Sequence, residues 1–291
     1  MKPMVLIVGR ESLIGESLIS FCKKNEHPFV ATTRRNGQFN DTTIYLDLTD
    51  DPYRWRIPAA VECAVLCTGL TGLAACENNQ VLSHSVNVDG MVRLIEHLQN
   101  RGIKIIYLST SQVFDGNNSC VATDRPQNPT SVYGLQKTMV EKYLMAEEKN
   151  AVIVRMTKVL HPGTGRVGEW IKALQQNKTI TPFLNMVLSP IHMDQVVNTL
   201  IKLIEGEYSG IFHLSGEKDI SYADMGYYLV SRLGLSPEMV STISADPSLL
   251  AKGALPKHTT LDTTRTRHEL KIEARSIWHV IDQVFQDTLH L

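Results

Sequence analysis

A chain of 291 residues that is 43% hydrophobic can bury about three quarters of its unfolded surface in one or two domains, which excludes a disordered chain. Lysine and arginine total 29 against 30 acidic residues, and no basic run exceeds the pair Arg34-Arg35. Nucleic acid is thereby excluded as a partner and a small molecule is expected. The apolar stretch within the N-terminal MKPMVLIVGRES spans five residues, too short for a signal peptide or a span, so a cytoplasmic protein with no membrane partner is expected.

MVLIV (residues 4–8) reads as the first buried strand and 12–24 as the first helix. Between them GRESLIG carries Gly9 and Gly15, with Ser12 where a dinucleotide-binding loop has its middle glycine. Such glycines permit the tight turn, let backbone N–H groups reach a pyrophosphate, and let the helix pack on the strand. Ser12 crowds only the phosphate approach, and its hydroxyl could donate to an anion at the helix N-terminus. A plain strand-to-helix turn is the other reading of this loop.

The strand FVAT (29–32) runs into Thr33-Arg34-Arg35, about twenty residues past the loop, where an NAD site places an acid against the ribose 2′-hydroxyl. No acid stands there. A guanidinium pairs with a 2′-phosphate in bidentate fashion, so Arg34 and Arg35 point to NADP(H), with NAD(H) the weaker ligand. A solvated arginine pair in a turn is the alternative. Asp47, after the strand TIYL (43–46), could accept from an adenine amine, although aspartate is common in turns.

AVLC (64–67), a helical stretch over about 83–100 and the strand IKIIYL (103–108) follow. That last strand opens into STSQVFDG, where Ser109, Thr110, Ser111 and Gln112 supply three hydroxyls and an amide before the first charge at Asp115. A helix over about 131–149 begins with SVYGLQK, in which Tyr133 and Lys137 stand four apart and share one face. Of the nine tyrosines, only Tyr133 has a lysine four residues later. A neighbouring ammonium favours the ionised phenol, and such a pair can protonate a carbonyl oxygen. A half-buried tyrosine beside a snorkelling lysine is the alternative.

With AVIVR (151–155), this alternation predicts an α/β fold with a parallel, doubly wound sheet over residues 1–155. From 156 the segments shorten and mix: GEWIKALQQ, TPFLNMVLSP, a helix near 194–204, GIFHL, and helices near 222–233 and 277–289. Residues 156–291 are expected to be mainly substrate-binding, with the segments around 190–214 packing back on the first domain. The five cysteines (Cys22, Cys63, Cys67, Cys76, Cys120) form no Cys-x-x-Cys pair, so reduced core thiols and no metal site are expected.

VGRESLIG, VNVDG, YLSTSQVFDG and NPTSVYGLQK together resemble the extended short-chain dehydrogenase/reductases, within them the branch containing the dTDP-4-dehydrorhamnose reductases. IVRMTKVL, SPIHMDQVV and LDTTRTRHEL resemble that branch's C-terminal segments more loosely, so the likeness covers nearly the whole chain. It implies a Rossmann-type sheet with a smaller C-terminal α/β substrate domain, and a catalytic set of Thr110, Tyr133 and Lys137. Thr110 would bond the substrate carbonyl beside Tyr133 as proton donor. Lys137 would orient the nicotinamide ribose and lower the Tyr133 pKa, while Asn87 would hold the strand geometry. The implied cofactor contacts are Gly9, Glu11, Ser12, Leu13, Ile14, Gly15, Arg34, Arg35, Asp47, Leu48, Cys67, Thr68 and Gly69, together with Tyr133 and Lys137.

Related dehydratases carry Asp-Glu after the catalytic threonine, where this chain has Ser111-Gln112. A hydroxyl and an amide cannot serve as a carboxylate acid or base, so carbonyl reduction without elimination is implied. The branch's reductases have Asp-Tyr at these positions, Asn-Ala-Ala at Cys67-Thr68-Gly69, and an aromatic at Lys158. The implied activity is NADPH-dependent reduction of a 4-keto group on a nucleotide-linked deoxysugar, in a possible homodimer. The alternatives are a non-catalytic NADP-binding regulatory subunit, like the methionine adenosyltransferase β-subunit of the same branch, and a nucleotide-sugar epimerase.

Overall fold

The computed structural model describes all residues except 1, 36, 38, 147–149 and 291. Its first half alternates strand and helix: β1 (Met4–Val8), α1 (Leu13–Lys24), β2 (Phe29–Thr33), β3 (Thr43–Tyr45), β4 (Val61–Leu66), α2 (Leu73–Asn78), α3 (Gln80–His84), α4 (Met91–Gln99), β5 (Lys104–Thr110) and α5 (Val132–Met145). The second half runs β6 (Ala151–Met156), β7 (Lys158–Leu160), α6 (Gly165–Gln175), β8 (Val187–Leu188), β9 (Pro190–His192), α7 (Met193–Glu205), β10 (Gly210–Leu214), β11 (Ile220–Ser221), α8 (Tyr222–Arg232), α9 (Thr264–Leu270) and α10 (Ile277–Leu289).

Seven strands form one parallel sheet in the order β10-β6-β5-β4-β1-β2-β3, the doubly wound Rossmann arrangement. The chain moves outward from β1 through β2 and β3, then returns to β4 on the other side of β1. Their carboxyl ends therefore flank the switch point where such sheets bind ligands. Helices cover both faces, which is why the strands read as continuous apolar runs. Val5 and Ile7 point to the core under α1 and α7, while Leu6 and Val8 point to the core under α4 and α5. Each such fully buried side chain contributes about 1.5–3 kcal/mol. A third core joins Trp170 and Ile171 of α6, Met225 and Leu229 of α8, and Val280 and Val284 of α10.

The expected helix over 83–100 is present but not uniform. α3 passes through a π-helical turn at Ser85–Gly90 into α4, and the widened turn swings Asn87 inward, a device common near functional sites. α5 ends at Met145, and the end of the helix expected to 149 lies outside the described residues. The expectation of core thiols is corrected at Cys120, which is exposed on a loop, while Cys22, Cys63 and Cys76 are buried and Cys67 is partly so.

Candidate active site

The chain leaves β1 at Gly9 with a φ of +96°, in the region where a side chain is strained. A Cβ on Gly15 would lie 2.3 Å from the Gly9 carbonyl oxygen, so glycine at 15 is what lets α1 start this close to β1. Ser12 caps α1: its Oγ accepts from the Gly15 amide at 3.0 Å and donates to the Gly9 carbonyl at 2.9 Å. Without a ligand, the single proton of this hydroxyl has its acceptor inside the loop.

Above the loop, a groove at the carboxyl ends of β1, β2 and β4 is lined by Gly9, Glu11, Thr33, Arg34, Asp47, Leu48, Thr68 and Gly69. Leu13 is exposed at the start of α1, and Ile14 packs into the core. Arg35, although exposed, is not among the lining residues. Cys67 packs against the same core, and burial pushes its thiol up to about 12. Asp47 uses Oδ1 to accept from the amide and hydroxyl of Thr49 at 2.8 and 2.7 Å.

No acid follows β2 in sequence, yet the Thr33 hydroxyl donates to the carboxylate of Glu11, and both line the groove beside Arg34. The acid thought missing arrives from the loop after β1, because the parallel register of Ile7 with Ala31 brings the two strand ends side by side.

Beyond the groove, β5 extends through Thr110, so Ser109 and Thr110 belong to the strand. Thr110 caps the turn Ser111–Val113, its Oγ1 accepting from the Gln112 amide at 3.2 Å. Its hydroxyl proton has no acceptor among the described residues and is available to a ligand. Thr110 lines a cleft of about 470 Å³ with Ser111, Gln112, Tyr133, Lys158 and Tyr222, a volume typical of small-molecule sites. Gln112 Nε2 donates to the Gly253 carbonyl at 3.2 Å, tying the C-terminal segment to this wall.

Ser131 starts α5 by accepting from the Gly134 amide at 3.0 Å. Tyr133 then stands in the first turn at the cleft and Lys137 one turn deeper, 5% exposed. The Lys137 ammonium donates to the Leu108 carbonyl at 2.8 Å, and lies 4.5 Å from the Tyr107 ring centroid and 5.9 Å from that of Tyr133. Desolvation pushes it down to about 8, against the opposing pull of Glu141, Cys67 and Cys76. Desolvation also pushes the Tyr133 phenol well above its ordinary value, with Cys76 adding to the rise. Burial thus sets the direction of the Tyr133 shift for this chain on its own, with the Lys137 ammonium 5.9 Å from the ring centroid.

Two buried networks support this set, and sequence reading missed most of their members. Asn87 accepts from the Leu70 amide and donates to the Leu70 carbonyl, both at 2.8 Å, and also donates to Gln136 Oε1 at 2.8 Å. Gln136 in turn donates to Ser83 at 2.8 Å. The amide of Asn87 thus joins the groove loop after β4 to the helix of Tyr133 and Lys137. Behind the cleft, Glu141 accepts from Ser109 and from Arg155, whose Nη2 lies 2.7 Å away. Glu141 follows Lys137 by four residues on the same helical face, a spacing that could have flagged it.

The family model described as RmlD substrate binding domain matches residues 1–289. The relative named "Probable low-salt glycan biosynthesis reductase Agl14" from Haloferax volcanii is 24% identical over 276 residues, covering 91% of each chain. A dTDP-4-dehydrorhamnose reductase of Mycolicibacterium smegmatis is 23% identical over 84% of this chain and 74% of its own. Among solved structures, a dTDP-4-dehydrorhamnose reductase from Bacillus anthracis in complex with NADP superposes with a TM-score of 0.82 at 19% identity, covering 99% of both chains. By the match that spans almost its entire length, this chain belongs to the RmlD substrate-binding-domain family of the extended short-chain dehydrogenase/reductases.

Proposed function

We propose that the protein is an NADPH-dependent oxidoreductase that reduces a 4-keto group on a nucleotide-linked deoxysugar. The observation that carries this reading is one cleft holding the Thr110 and Tyr133 hydroxyls with no carboxylate among its described lining residues. The adjoining groove fits a nicotinamide dinucleotide: the Gly9 and Gly15 positions form a backbone cradle that a Cβ would fill, and the α1 N-terminus favours a pyrophosphate. Gly9 and Gly15 would hold the pyrophosphate, Arg34 a 2′-phosphate, Asp47 and Leu48 the adenine side, and Thr68 and Gly69 the opposite wall. Bound there, the dinucleotide supplies the hydride.

The chain's own residues handle the oxygen and its proton. Thr110 donates its free proton to the carbonyl oxygen, and that bond strengthens as negative charge develops. Tyr133, kept protonated by burial, delivers its proton to the same oxygen. Lys137 stabilises the phenolate that remains, its position fixed by the bond to Leu108. Ser111 and Gln112 take no ring proton, so no water leaves.

The test is a panel of nucleotide-linked 4-keto sugars incubated with protein and NADPH, followed by absorbance of the reduced nicotinamide. Oxidation is expected with a member of this panel and not with the corresponding 4-hydroxy sugars. NADPH binding without oxidation across the panel would favour the regulatory-subunit reading instead.

A further inference from the structure

Lys158 is the only lysine, arginine, aspartate or glutamate among the described residues lining the substrate cleft. Met156, the register partner of Thr110, ends β6, and Lys158 opens β7 two residues on. Its backbone therefore stands within about 7 Å of the strand end that faces Thr110, and an extended lysine stem covers a sugar ring's length from there. Among the described residues it has no hydrogen-bond or ion-pair partner. Lys158 is exposed on the cleft, and desolvation of its ammonium there, with the Arg166 cation adding to it, lowers it below the ordinary lysine value.

Arg166 also lacks an acidic partner among the described residues. Its guanidinium lies 5.3 Å from the Phe183 ring centroid and 6.0 Å from that of Tyr222, itself a cleft residue. It sits in the first turn of α6, a turn without an acidic residue, and Glu169 further along the helix forms no ion pair with it; this helix end favours anions and disfavours cations. Two cations without an ion-pair partner among the described residues, one in the cleft and one held on its aromatic wall, are stabilised together when an anion enters.

We propose that Lys158, backed by Arg166, is an oxyanion-binding subsite of this cleft and selects substrates that carry an anionic oxygen group within a sugar ring's length of Thr110. Two parts of a nucleotide-linked sugar present that chemistry: the diphosphate, and a carboxylate on the ring. The substrate class rests on the reductase reading above, whereas the anion subsite itself does not.

The test is calorimetric titration of the full chain in the presence of NADP+, with pyrophosphate and with the uridine and thymidine diphosphates of glucose and of glucuronic acid. Wild type, Lys158→Met and Lys158→Arg are compared, with thermal unfolding to show that all three are folded. Loss of a charge-assisted bond predicts weakening by about tenfold or more in Lys158→Met, with affinity largely restored in Lys158→Arg. Equal weakening for pyrophosphate and for both sugar types assigns the subsite to the diphosphate. Weakening confined to the glucuronates assigns it to a ring carboxylate. Unchanged affinities in Lys158→Met overturn the subsite while leaving the reductase reading in place. Pyrophosphate binding that depends on Lys158, with no binding of any sugar nucleotide, retains the subsite and contradicts the reductase reading. If wild type binds none of the probes, both fall.

Discussion

Lys137 donates to the Leu108 carbonyl at 2.8 Å, which fastens the ammonium of α5 to β5 two residues before Thr110. Its pKa of about 8 means that the charge is present below that pH and lost above it. Tyr133, pushed upward by burial, stays protonated across the same range. Turnover should be level from about pH 6 to 7.5, then fall as the ammonium deprotonates, approaching about tenfold per pH unit. A steady-state profile that stays flat to pH 10 would contradict this role for Lys137.

Tyr133→Phe removes the phenol oxygen and little else. Turnover should drop by roughly two to four orders of magnitude, while NADPH titrated by fluorescence binds as before. Undiminished turnover in the variant would take the proton donor away from Tyr133.

Glu141 and Arg155 are 1% and 2% exposed and joined through Arg155 Nε and Nη2. Arg155→Met leaves a buried carboxylate without its counter-charge and should cost about 3–5 kcal/mol in urea unfolding. The double variant Glu141→Leu with Arg155→Met should recover part of that loss. A single-variant cost below about 1 kcal/mol would mean the pair is not buried as described.

At the groove, Arg34 and Glu11 act in opposite directions on a 2′-phosphate. Arg34→Ala should weaken NADPH by about 1.5–3 kcal/mol and change NADH little, whereas Glu11→Gln should strengthen NADPH relative to NADH. Calorimetry with both cofactors reads the two ratios. Equal losses for NADPH and NADH in Arg34→Ala would remove Arg34 from the phosphate contact.

The sheet was legible because its strands are covered on both faces, so runs such as MVLIV and AVIVR are apolar without alternation. Tyr133 and Lys137 were legible because a four-residue spacing survives from sequence to helix. Glu11 beside Thr33 was not: the two residues meet only through the β1–β2 register, which apolar patterning does not specify. The π turn at Asn87 was hidden for a related reason, since one extra residue per turn hardly disturbs a helical pattern in a short segment. α9, TRTRHEL, escaped notice because so short a helix shows no apolar stripe, only Leu270 reaching the core. The direction of the Tyr133 shift depended on how deeply α5 sinks into the fold, a tertiary quantity.

Reduction, as opposed to elimination or epimerisation, is the central claim, and it turns on Ser111 and Gln112 standing after Thr110. The most direct measurement follows 4-deuterated NADPH and a nucleotide-linked 4-keto sugar through the reaction by mass spectrometry and NMR. One NADPH should be oxidised per sugar converted, with the deuterium retained on carbon 4 of the product, because the hydride passes directly between carbons held in contact. Product formed without net loss of NADPH, or elimination of water from the sugar, would contradict the account.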